Sequence, residues 1–281
     1  MTHINFSFLD LVDVEPMTIV DVGAAALDKA DPYHVLAERT ASHIIGFEPD
    51  HRTCAALNAA GKLRHSYFPF AIGAGGPAKL HVTASGGNSS LYAPNADLLR
   101  HFTTLAGMLE VKHVAQVETH RLDDVVGAKE IDFLKIDVPG GELDVLTGAT
   151  RLLPTALAVE LEVEFLPMYQ GAPLFGEVDA HMRAAGFQLH TFLDVYRPVY
   201  TPFAETVAAG PSQTMWADAV YVPDICKLAK FGRERLLKLA ALAHELYGAV
   251  DLTAHILTHM RACGMDVPLD AYLKRCSALR R

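Results

Sequence analysis

The chain has 281 residues, 51% of them apolar, and a net charge of −9. That is enough apolar material for one large core, and the acidic balance excludes a nucleic-acid-binding body, which needs a concentrated basic face. Four scattered cysteines (Cys54, Cys226, Cys263, Cys276) with no C-x-x-C pair argue against a zinc knuckle or disulfide framework. The opening MTHINFSFLDLVDVEP lacks a basic leader, and no apolar run reaches the roughly 20 residues of a membrane span. The expectation is a cytoplasmic protein.

In chain order, short β-like runs alternate with helical stretches. Residues 17–22 (MTIVDV) read as a strand, 34–40 as a helix, 43–47 as a strand and 52–60 as a helix. A strand is expected over 67–72, then another over 79–83, a polar loop "ASGGNSSLYAPN", and a helical region over 98–109. "IDFLKIDV" (131–138) is the clearest strand, followed by a helix over 142–153, the strand "TALAVELEVEF", a helix over 177–185, and the strands "FQLHTF" and "WADAVYV". Strands alternating with helices imply a parallel sheet. The last two have no helix between them and are expected as an antiparallel pair at one edge. From residue 224 the charge changes sign, with ten basic residues against six acidic. That boundary predicts two units, 1–223 and a helical module over 224–281 with helices over 224–247, 251–263 and from Pro268.

In open α/β sheets ligands bind beyond the carboxyl ends of the strands, and an acid ending the second strand some 20 to 25 residues past a glycine turn meets ribose hydroxyls. Gly23 and Glu48 fit that spacing, with small residues Ala24 to Ala26 after the glycine. The plainer alternative makes Glu48 a solvated strand end with Pro49 opening the next helix. Nicotinamide dinucleotides and S-adenosylmethionine share this geometry. A pyrophosphate needs G-x-G-x-x-G at a helix start, whereas "DVGAAALD" has one glycine, and Asp21 suits the cationic amino acid end of S-adenosylmethionine.

The pieces "TIVDVGA", "IIGFEPD", "FAIG", "NSSL", "RLDDVV" and "IDFLKIDVPGGELDVLTGA" resemble, in order and spacing over about 17–192, the FkbM family of S-adenosylmethionine-dependent methyltransferases. The resemblance implies a Rossmann-like class I methyltransferase fold, a mixed seven-stranded sheet with helices on both faces. It also implies O-methylation of a hydroxyl on a sugar or other small molecule. By the same resemblance Asp21, Gly23 and Ala24 line the methionine end, Glu48 and Pro49 hold the ribose, Ala71 and Ile72 flank the adenine, and Asp137 faces the sulfonium and the acceptor. Two stretches depart from the family pattern: "AALDKADPYHVL" follows "DVGA", and Pro139-Gly140-Gly141-Glu142 stands where the family commonly has Glu-Gly-Ala-Glu.

Methyl transfer to an alcohol needs positioned partners, excluded water and a proton acceptor. Candidate bases are Asp137, Glu142 and the acids of "VELEVEF", among them Glu160. Glu160, Glu162 and Glu164 share one strand face. A Mg²⁺ shared by Asp137 and Glu160 is a less favoured alternative, and His255, His259 and Cys263 lack a paired acid for zinc. Asn88, Ser89 and Ser90 in "GGNSSLY" offer polar groups to cofactor or acceptor, and Tyr196, Tyr200 and Trp216 are candidates for a lip over the acceptor. Apolar Leu236, Ala240, Ala243 and Tyr247 form a stripe that must pack on the body or on a second subunit in a homodimer. The competing functions are a Rossmann-type oxidoreductase and a scaffold that uses no cofactor.

Overall fold

A computed structural model of the chain describes residues 6–24, 32–60, 62–203 and 212–278. Its strands are β1 (Thr18–Val22), β2 (His43–Phe47), β3 (His65–Phe68), β4 (Ala71–Ile72), β5 (Gly76–Thr83), β6 (Val111–His120), β7 (Phe133–Ile136), β8 (Ala158–Glu164), β9 (Phe187–Tyr196) and β10 (Trp216–Pro223). Its helices are α1 (Pro32–Thr40), α2 (His51–Ala59), α3 (Ala96–Leu99), α4 (Leu105–Met108), α5 (Leu122–Val125), α6 (Glu142–Thr147), α7 (Phe175–Ala184), α8 (Arg233–Tyr247), α9 (Val250–Ala262) and α10 (Leu269–Cys276).

Seven strands form one sheet in the order β3-β2-β1-β7-β8-β10-β9. The first five are mutually parallel, while β10 runs antiparallel to both β8 and β9. This is the class I methyltransferase arrangement. The final hairpin lies at the edge as expected, with its second strand inserted inward.

Strand alternation divides the side chains between two layers. Val20, Val22, Leu134, Ile136, Val159, Leu161 and Val163 pack with α5, α6 and α7. Ile19, Ile44, Phe133 and Ala158 face the other way, against α1 and the helices α8 to α10. The charge change at 224 therefore does not coincide with a break in packing: Leu236 and Ala240 are fully buried in the core that holds β1 and β7. Polar contacts pin the same layer. Lys238 reaches Asp132 at 3.1 Å, and Asp132 also accepts from the Thr18 amide at 2.9 Å. Glu245 Oε1 accepts from Ser7 Oγ at 2.6 Å and from the Phe8 amide at 2.7 Å.

Four expectations need correction. The stretch 67–72 is two strands, β3 in the large sheet and β4 in a small sheet ordered β4-β6-β5, because Pro69 interrupts the ladder. The 98–109 region is two one-turn helices with Phe102 paired to Tyr200 between them. The helix expected over 142–153 stops at Thr147, where Gly148 lies so close to the Gly73 carbonyl that a Cβ would collide with it. The helix expected from 224 starts at Arg233, after a 3-10 turn and Gly232. Among the described residues no helix is long and apolar enough to cross a membrane.

Candidate active site

The parallel strands bring Asp21, Gly23, Glu48 and Asp137 to one edge of the sheet. Asp21 is paired in register with Gly46 and with Lys135, is 3% exposed, and accepts from the Tyr33 hydroxyl at 2.5 Å. Gly23 has φ +90, and a Cβ there would collide with the Asp137 carbonyl oxygen. Only glycine allows the two strand ends to approach so closely. The Asp137 amide closes the junction by donating to the Val22 carbonyl at 2.8 Å. The amides of Gly23 and Ala24 both donate to the Phe47 carbonyl at 3.0 Å, so neither is offered to an anion. Ala25 and Ala26 lie outside the described residues.

Glu48 is buried beside Cys54, and burial raises its pKa while the Asp50 amide, donating to Oε1 at 2.8 Å, opposes that rise. Pro49 is exposed and leads into Asp50, which caps α2 by accepting from the Thr53 amide. Ala71 and Ile72 pair with Thr119 and His120 in the small sheet, and Ile72 is buried in the core beneath the site.

Asp137 is held by Lys135 at 3.1 Å, with the carboxylate 41% exposed and the lysine nearly buried. Beyond it the strand face turns acidic. Glu160 stands in register with Lys135, Asp218 opposite Glu162, and Trp216 opposite Glu164. Burial, with the neighbouring acids Glu162, Glu164 and Asp137 adding to it, raises the Glu142 pKa well above the carboxylate range. Glu162 is raised likewise by burial and by Asp137 and Asp218. Burial also pushes Glu164 up to about 8 and Asp218 up to about 7. Burial raises the pKa of the Tyr247 phenol at the end of α8, and the nearby charge of Glu160 adds to the rise. Among the described residues no group of three or more His, Cys, Asp or Glu is arranged to hold a metal ion.

The polar loop contributes differently from expectation. The Asn88 side chain donates to Ser85 and the Ser89 hydroxyl accepts from the Thr83 amide, so both serve their own turn. Ser90 instead ties the loop to the site, donating to the Pro139 carbonyl at 2.5 Å. The Tyr169 hydroxyl reaches the Asn88 carbonyl at 3.0 Å and that of Tyr92 reaches Asp144 at 2.8 Å. Of the aromatic residues near the rim, Tyr196 and Trp216 stack at 3.9 Å, whereas Tyr200 stacks on Phe102. Sequence reasoning singled out Ser90 with its loop neighbours but not Tyr33, Lys135, Tyr169 or Asp218; the polar Lys135 inside the apolar "FLKI" was the one available signal.

A mixed sheet of this order with acids at the ends of β1, β2 and β7 defines a methyltransferase-type domain. Residues 21–189 match the family model described as "Methyltransferase FkbM domain", more than half of the chain, and the chain belongs to that family. Among solved structures, magnesium protoporphyrin IX methyltransferase from Synechocystis with bound S-adenosylmethionine is similar at 10% identity, over 75% of this chain and 71% of that one, with a TM-score of 0.37. A putative methyltransferase from Thermoplasma acidophilum is similar at 9% identity over 75% and 70%, TM-score 0.36. A mutant of the 16S rRNA (adenine(1408)-N(1))-methyltransferase from Catenulisporales acidiphilia is similar at 13% identity over 74% and 86%, TM-score 0.33. No curated protein matches.

Proposed function

We propose that the chain transfers the methyl group of S-adenosylmethionine to a hydroxyl of a small-molecule acceptor, a sugar or related polyol being the class the family resemblance suggests. The observation that carries the choice of cofactor is the turn after β1. Its first two amides are already spent on the Phe47 carbonyl, so among the described residues of the turn no donor pair is free for a pyrophosphate, which suits a nucleoside without one. The donor set fits: Glu48 is placed to accept from ribose hydroxyls, and Asp21, fixed by Tyr33, to face an ammonium group.

S-adenosylmethionine, when bound, would supply an electrophilic methyl carbon for in-line attack by an acceptor oxygen, the neutral thioether leaving with the C–S electron pair. Asp137, oriented by Lys135, takes the proton leaving that hydroxyl. Glu142 and Glu160 are the other candidate bases; burial raises the Glu142 pKa, and Asp137, its side chain 41% exposed, is the carboxylate most open to an acceptor. Calorimetry with S-adenosylhomocysteine and with NADH tests the reading. Binding of the former alone is expected; binding of NADH would turn the reading to an oxidoreductase, and binding of neither would turn it to a scaffold.

A further inference from the structure

The acidic face extends well past the turn after β1. Asp218 stands three strands from Gly23, since β7 and β8 lie between β1 and β10, which at strand spacings of roughly 4.8 Å is about 14 Å. Asp137 bears on both Glu162 and Asp218, so one sulfonium there faces several acids at once. Glu162, Glu164 and Asp218 share the face with Asp137, and Glu142 approaches them from α6. The basic group that bears on them is Lys135, already held by Asp137.

A second observation concerns hydrogen bonding. Glu142 is 4% exposed and one of its carboxyl oxygens has no hydrogen-bond partner; Glu164 is 2% exposed and has no close side-chain partner, the Met168 amide being the donor that bears on it. Buried polar groups are normally satisfied, and an orphaned one in a native protein points to a missing partner. Among the described residues the acids of this patch outnumber the cation that bears on them, Lys135. Directly opposite Glu164, Trp216 and its stacking partner Tyr196 add an aromatic surface of the kind that attracts cations and sugar faces.

We propose that this patch is the acceptor subsite and that it takes an acceptor carrying a protonated amine, in chemical class an amino sugar or aminocyclitol. The inference rests on the methyltransferase reading, which it deepens by naming the acceptor's charge. An ammonium brings three donors and a positive charge to acids that are short of both, and it fixes the neighbouring hydroxyl relative to Asp137.

Trp216 is the chain's one tryptophan, so its emission reports on this patch. The full-length protein is titrated with glucosamine and 2-deoxystreptamine, and with glucose as the neutral control, with and without S-adenosylhomocysteine. Saturable emission changes are expected for the amines at concentrations where glucose gives none. Glu162→Gln combined with Asp218→Asn, which removes two carboxylates at nearly unchanged shape and should keep the fold, is expected to raise the amine concentration at half-saturation at least ten-fold while leaving S-adenosylhomocysteine affinity in place. An equal response to glucose, no response to either amine, or an unaffected double variant overturns the proposal. S-adenosylhomocysteine affinity is read separately by calorimetry, so a failed cofactor and a failed amine site give different results.

Discussion

Glu48 ends a buried strand on a carboxylate, and its raised pKa shows that the fold gives up some solvation to keep it there. Replacing it with alanine should weaken S-adenosylhomocysteine binding by about 1.5–3 kcal/mol, the worth of charge-assisted hydrogen bonds, with melting temperature little changed. Calorimetry on the folded variant checks this, and unchanged affinity would remove Glu48 from the ribose site. Asp137→Asn keeps the shape of the strand end but cannot take a proton, so turnover should fall by about 10²-fold or more while S-adenosylhomocysteine affinity stays within a few-fold. Glu164 allows a pH test. Its ordinary pKa of 4.5 rises to about 8 in the fold, so the folded state binds the proton more tightly than the unfolded one. The resulting stability is complete below pH 4.5 and is lost as pH climbs through 8. Glu164→Gln should remove that slope. Between roughly pH 5 and 9 the variant should lose less stability than the parent, by a margin on the order of a few kcal/mol, as read by urea denaturation at each pH.

At the scale of elements, α8 is held by the Lys238–Asp132 pair, both side chains nearly buried. Lys238→Met should destabilise the fold by up to roughly 3–5 kcal/mol, because it leaves the buried Asp132 with only the more distant Arg235, at 3.9 Å, to balance its charge, and Asp132→Asn in the same chain should recover part of the loss. Denaturant midpoints of the two variants decide this. The strands that flank the site were legible in the sequence because central parallel strands are buried on both faces and read as apolar runs, as in "TIVDV" and "HIIGF". Glu48 and Asp137 stood out as acids ending such runs. By contrast β6 was missed. Its sequence VKHVAQVETH spaces valines three apart, and its burial alternates only weakly because most of it pairs with β5 in a ribbon open to solvent. The acidic face was legible on β8 through its period of two, but Asp218 was not. Its place opposite Glu162 depends on β10 inserting between β8 and β9, a pairing that no local pattern encodes.

For the molecule as a whole, the apolar stripe of Leu236, Ala240 and Ala243 is spent on the chain's own core, so a homodimer would have to form through other residues of the tail. A chain ending near residue 222 is expected to be aggregated or unfolded rather than a cofactor-binding monomer, since Ile19, Ile44 and Phe133 would lose the helices that cover them. Light scattering and circular dichroism on that truncation would show it; a folded, S-adenosylhomocysteine-binding product would make the tail an independent module after all.

The bond between Ser7 and Glu245 also spans 238 residues of sequence. It belongs to a layer in which the earliest strand is covered by the last helices made, so synthesis delivers the hydrophobic face of β1 well before its cover. Long-range closures of this kind slow folding and leave apolar surface open in the interval. Ribosome-stalled chains halted before Tyr247 should therefore be cut readily by protease and bound by chaperones, and resistance should appear only once α8 has emerged.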